Sequence, residues 1–211
     1  MKKENDIELA QELESKSPPR IRKAVKLITA DSISGYENQL LNALKIAIQK
    51  PSYWKTQSQI IRALGTTGSS NCIEYLRRLV CQNHSSTVLY RDLGFAICLL
   101  EDIPNNSIGF LESTFSSNNQ LLVAGACSAL LYFEHVPSEQ QIESIVAAVV
   151  GMQKDEGQII TPRCYIAAVS YLWPSTHTVA FLKECKKSSW AGLREIAESS
   201  LQGRKSSFRL V

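Results

Sequence analysis

Histidine and methionine are scarce in this sequence: three and two residues in 211. The histidines, His84, His135 and His177, fall near expected helix junctions, and no two stand at metal-ligand spacing. H-E-x-x-H and C-x-x-C are absent, so the chain shows no motif of a zinc site. No phosphate-binding loop is present either: GTTGSS at Gly65–Ser70 lacks the lysine and the preceding strand that such a loop needs, and reads as a helix–helix turn. Sustained period-two alternation and Asn-Gly turns are missing, which removes the usual strand and hairpin signals. The longest strongly apolar run, Ile145–Val150, is far too short to span a bilayer. MKKENDIELAQELES carries charge but no apolar core, so no secretory leader is expected at this end.

Neither sign of charge dominates. Twenty-three Lys and Arg face twenty Asp and Glu, for a net +3. A dedicated nucleic-acid binder carries a denser basic face. Six cysteines, at 72, 81, 98, 127, 164 and 185, sit mostly inside apolar runs such as FAICLL and AGACSALL. They are expected to be buried, reduced thiols, which favours a reducing, cytoplasmic setting over a disulfide framework.

What is present is a regular alternation of helical patterns and short breaks. Apolar residues recur at helical spacing over about 4–14, 18–30, 36–49, 51–64, 70–82, 85–100, 105–115, 118–133, 138–152, 161–173, 176–186 and 189–202. Pro18-Pro19 opens the second stretch, Gly65 is expected to close the fourth as a left-handed cap, and Pro174-Ser175 separates the tenth from the eleventh. These make twelve helices in six pairs. The second member of each pair closes on a similar pattern, seen in IIRALG, AICLLE, CSALLYF, AAVSYLW and AESSL. Aligning Leu64, Leu99, Leu130, Leu172 and Leu201 gives irregular steps of about one helical hairpin each, the longest holding a loop at Lys154–Gln158. Ala63, Cys98, Ala129 and Ser200, each just before its leucine, would let neighbouring helices approach closely. One hairpin cannot bury its own apolar face, so the copies must stack.

IIRALGTTGSSNCIEYLRRLV at Ile60–Val80 resembles the HEAT-like repeats related to phycobilisome-lyase repeats, in which a helix ends in Ala-Leu-Gly before a short Gly-containing turn. RIRKAVKLI and GACSALLYF are looser copies, and the later repeats lack both the Ala-Leu-Gly closure and the acidic turn residue. The resemblance implies an all-α right-handed solenoid of about six antiparallel pairs over residues 1–202, with a basic tail over 203–211. It also implies that the second helices line a concave face. In size, single-domain organisation and lack of a catalytic motif the chain is similar to small HEAT-like immunity proteins of bacterial contact-dependent inhibition.

No catalytic residue and no cofactor is expected. Nucleophilic catalysis needs a base beside its nucleophile, and only Cys81 and His84 are near each other in sequence, at a helix end. Glu101-Asp102 and Asp155-Glu156 read as solvated surface. The first turns of several second helices instead join an aromatic to a Lys or Arg, the types enriched at interaction hot spots. They supply Tyr53, Trp54, Lys55, Tyr90, Arg91, Arg163, Tyr165, Trp190 and Arg194 as candidate contacts, with Arg62 added from IIRALG. Trp54 and Trp190 fit an interface or an interlayer plug equally, Tyr165 fits a core position better, and Arg62 fits the groove or a solvated face. The expected role is a non-catalytic protein-binding module, an immunity protein that occludes a cognate toxin, nucleases included. The alternatives are nucleic-acid binding of the DNA-glycosylase type and a scaffold or lyase-like chaperone. No membrane partner and no small-molecule substrate is expected.

Overall fold

The computed structural model describes residues 2–31, 33–68, 70–152 and 161–207, with side chains described from residue 8 onward. Among them there are twelve α-helices and no strand. The helices are α1 (Lys2–Leu13), α2 (Pro18–Ala30), α3 (Glu37–Ala47), α4 (Trp54–Thr67), α5 (Ile73–Val80) and α6 (Val88–Glu101). They continue as α7 (Gly109–Phe115), α8 (Gln120–Tyr132), α9 (Glu139–Gly151), α10 (Pro162–Val169), α11 (Ser175–Cys185) and α12 (Ala191–Leu201). The expected loop at Lys154–Gln158 and the acidic pair Asp155-Glu156 lie outside the described residues, as does the end of the basic tail.

Local chemistry accounts for the starts. Pro opens α2 and α10, where the first-turn N–H groups have no intrahelical partner to lose. Asn119 caps α8 by accepting from the Leu122 amide at 3.1 Å. Ser138 and Gln141 form a reciprocal capping box at α9. The start of α7 is capped from outside the helix. Asp102, at the end of α6, accepts from the Phe110 and Leu111 amides at 3.0 and 2.9 Å and from the Ser107 hydroxyl at 3.0 Å. This corrects the reading of Asp102 as solvated surface: it is 1% exposed. It also explains why α7 begins at Gly109 and not near Asn105, since the intervening residues wrap around this carboxylate.

Gly65 is a second correction. It does not close α4 in a left-handed conformation; α4 runs through it to Thr67 and ends at Gly68, whose amide bonds the Leu64 carbonyl at 2.8 Å. Gly65 faces α6, where an added Cβ would lie 2.6 Å from the Cα of Ala96. The residue is small because another helix passes there.

The helices pack in order. Each odd-numbered helix packs against the even-numbered helix that follows it, and the even-numbered helices α2, α4, α6, α8, α10 and α12 pack each against the next. Several hydrogen bonds between successive pairs join residues 30 to 38 apart, among them 34 for Arg22 to Thr56 and for Ser58 to Asp92, 35 for Gln141 to Asn106, 33 for Ser200 to Ala167 and 38 for Trp173 to His135. The centre of the row is buried all round. Every residue of α8 from Leu122 to Leu130 is buried, as is all of α10.

Candidate protein-interaction surface

The burial of α8 and α10 decides which of the expected contact residues can meet a partner. Tyr165 is 2% exposed and belongs to the core, its phenol pKa pushed up by burial. Arg163, expected in a groove, is also buried. Its guanidinium lies 5.6 Å from the Phe181 ring centre and 3.7 Å from Glu184, with Nη2 3.9 Å from the Cys185 sulfur. It ties α10 to α11, and its expected role at the surface is withdrawn. The sequence hid this because an Arg in a helix's first turn reads as solvated unless the next helix is known to cover it.

At the far end, Trp190 is half-buried over Gly192, where an added Cβ would meet its ring at 2.4 Å. Arg194 is exposed, and its Nη1 donates to the Ser188 and Ser189 carbonyls at 2.8 Å each. Both hold the α11–α12 connection. Tyr90 does the same for the α5–α6 connection: its hydroxyl donates to the Gln82 carbonyl at 2.7 Å and its ring meets His84 edge-on at 5.2 Å. The His84 Nε2 lies 2.7 Å from the Leu79 carbonyl.

The remaining expected residues gather on α4 and the start of α6. Buried Gln57 donates from Nε2 to the Ala47 and Lys50 carbonyls at 2.8 Å each, which fixes the α3–α4 connection. That connection presents Tyr53, half-buried under the Lys50 ammonium at 5.0 Å, and Trp54, 37% exposed with Lys55 over its ring at 5.3 Å. Further along α4, Arg62 packs over Phe95, its guanidinium carbon 4.2 Å from the ring centre. Tyr132 meets the same ring edge-on at 5.3 Å and is half exposed. Three side chains from α4, α6 and α8 therefore form one stack, with a guanidinium at one end and a phenol at the other.

Beneath the stack sits Asp92, fully buried on α6. It accepts from the Ser58 hydroxyl at 2.6 Å and lies 3.5 Å from Arg62 Nη1. Burial pushes its carboxyl pKa above the ordinary value, against the opposing pull of Ser58, Arg62 and Arg91. The sequence reading missed Asp92, Ser58, Phe95 and Tyr132. A signal for Asp92 was present: a single acid inside LYRDLGFAICLL has nowhere apolar to hide without a partner.

No hydrogen bond or ion pair from the Arg91 guanidinium occurs among the described residues, although its charge acts on both Asp92 and Tyr165. Five cysteines are buried and Cys81 is exposed. No group of three or more metal-capable side chains clusters among the described residues, and no helix there is long and apolar enough to cross a membrane. Comparison of the chain with family models, with curated proteins and with solved structures finds no match in any of the three.

Proposed function

We propose that this chain is a non-catalytic protein-binding module, an immunity protein that neutralises a cognate bacterial toxin by covering it. The observation that carries the reading is the Arg62–Phe95–Tyr132 stack, with Arg91 next to Asp92 on α6 and exposed Trp54 with Lys55 at the start of α4. Arg, Tyr and Trp are the side chains that dominate binding energy at protein interfaces. A guanidinium already laid against a ring has less rotamer freedom to lose on binding. The serial packing of α2, α4, α6, α8, α10 and α12 supports a HEAT-like solenoid of the phycobilisome-lyase type as the architecture. In that arrangement the filled middle of the row shifts the contact surface toward α2, α4 and the first turns of α6.

The test is the product of the reading frame adjacent to this one. It is expected to co-elute with this protein as a stable complex on size exclusion and to lose its toxicity when co-expressed. Separate elution with undiminished toxicity would reject the reading.

A further inference from the structure

The near-zero net charge conceals a polarised chain. From Lys16 to Arg91 there are twelve Lys or Arg and three acids, Asp31, Glu37 and Glu74, a balance of +9. The rest of the chain holds eleven basic and seventeen acidic residues, a balance of −6. Several of the cations lie on one continuous path across α2, α4 and α6. The Arg22 guanidinium reaches Thr56 on α4 at 3.1 Å. Lys55 precedes Thr56 and stands one turn before Ser58, which bonds Asp92 on α6. Arg62 follows on the same stripe, and Arg91 precedes Asp92. The one carboxylate under this path, buried Asp92, is bonded to Ser58 and pairs with Arg62 at 3.5 Å, so it offsets part of the charge at Arg62 and leaves Arg22, Lys55 and Arg91 to face a partner.

Resting on the protein-binding reading above, we propose that the partner docks an acidic patch against this face, its carboxylates pairing with Arg22, Lys55 and Arg91 around Trp54. The planar guanidinium forks match carboxylate geometry, and Trp54 supplies the apolar anchor. Charge polarity favours a compact acidic patch over a nucleic acid. A long polyanion would run from the +9 segment onto surface drawn from the −6 remainder and be repelled there. One consequence bears on the toxin's chemistry. A nuclease binds its substrate through a basic cleft, and this face would repel such a cleft, so a nuclease toxin is held through an acidic surface away from it.

The test uses the intact protein with two labelled probes, a short Glu/Leu peptide and a DNA duplex, in fluorescence anisotropy at low and physiological salt. The peptide is expected to bind, to weaken with salt, and to lose roughly tenfold in affinity in the Lys55→Glu/Arg91→Glu variant. The Lys183→Glu/Lys187→Glu variant, at the end of α11 and just beyond it, should bind as the wild type does. Arg62 is left in place because it lies beside buried Asp92. If charge reversal impairs folding, Lys55→Gln/Arg91→Gln carries the same expectation with a smaller loss. No peptide binding, or binding unchanged in these variants, overturns the docking face. Tighter binding of the duplex than of the peptide through the same residues overturns both this inference and the protein-binding reading. Equal capture of the adjacent-frame product by wild type and variant overturns the docking face alone.

Discussion

The backbone of Gly125 on α8 lies directly against that of Arg91 on α6: a Cβ added to Gly125 would stand 1.9 Å from the Arg91 carbonyl oxygen. The contact is reciprocal, because a Cβ on Gly94 would stand 2.1 Å from the Leu122 carbonyl oxygen. The two helices touch through main chain, which cannot move aside as a side-chain end could. Gly125→Ala and Gly94→Ala should each cost roughly 3 kcal/mol of stability, the upper range for overpacking. Gly125→Ala should also shift Arg91 and weaken partner binding. Gly151, which has nothing within 4 Å of its virtual Cβ, is the control. There Ala should stabilise by about 0.5 kcal/mol through helix propensity. Urea unfolding of the three variants checks the contrast.

Asp102 should behave as a buried cap. Asp102→Ala leaves the Phe110 and Leu111 amides without their acceptor in a buried site, a loss of roughly 2–4 kcal/mol. Asp102→Asn keeps one acceptor oxygen and should lose about half as much. Amide exchange at Phe110 and Leu111 should quicken in both variants before the core helices open.

Stability should fall on mild acidification, in part through His135. Its ring is partly buried, its Nε2 has no partner, and burial lowers its pKa below the ordinary 6.5. Below pH 6.5 the unfolded chain takes up a proton that the folded ring refuses. The stability present above that pH is therefore lost as pH falls toward the lowered folded value. Asp92 titrates in the opposite sense. Its raised pKa means that the folded state keeps a proton the unfolded chain has released above 3.8, so stability declines as pH rises from 3.8 through the folded value. His135→Gln should flatten the decline as pH falls below 6.5, and Asp92→Asn should flatten the decline as pH rises above 3.8, both measured as denaturant midpoints against pH.

Thiol reactivity should separate Cys81 from the rest. Burial pushes Cys72 and Cys185 up to about 11 and raises Cys98, Cys127 and Cys164 as well. A thiol reagent at mildly alkaline pH should titrate Cys81 quickly in the folded protein and the other five only on unfolding.

Helix number and order were legible because apolar period and punctuation agree along the whole chain. The closings were less so. Gly65 carries the same one-letter signal whether it ends a helix or admits a neighbouring one, and only the position of Ala96 separates the two. Asp102 was misread for a similar reason. An acid at a helix end is solvated by default, and its burial depends on the next segment folding back over it. At the surface, pairing an aromatic with a cation singled out Trp54, Lys55 and Arg91, with Arg62 taken separately from IIRALG, but it could not see that α10 is covered on all sides. Arg163 and Tyr165 carry the same local pattern and point into the core. The Phe95–Tyr132 half of the stack joins residues 37 apart on different helices, beyond the reach of any local pattern.

The claim that this is a protein-binding module working through the α4–α6 face rests most directly on one measurement: the affinity of the adjacent-frame product for Trp54→Ala, Arg62→Ala and Arg91→Ala, taken beside the thermal midpoint of each. The account predicts that Trp54→Ala and Arg91→Ala each lose roughly tenfold or more in affinity, about 1.4 kcal/mol, with near-wild-type unfolding. Arg62→Ala should lose both affinity and stability, since it strips the partner from buried Asp92. Unchanged affinity in all three would contradict the account and place binding elsewhere on the molecule.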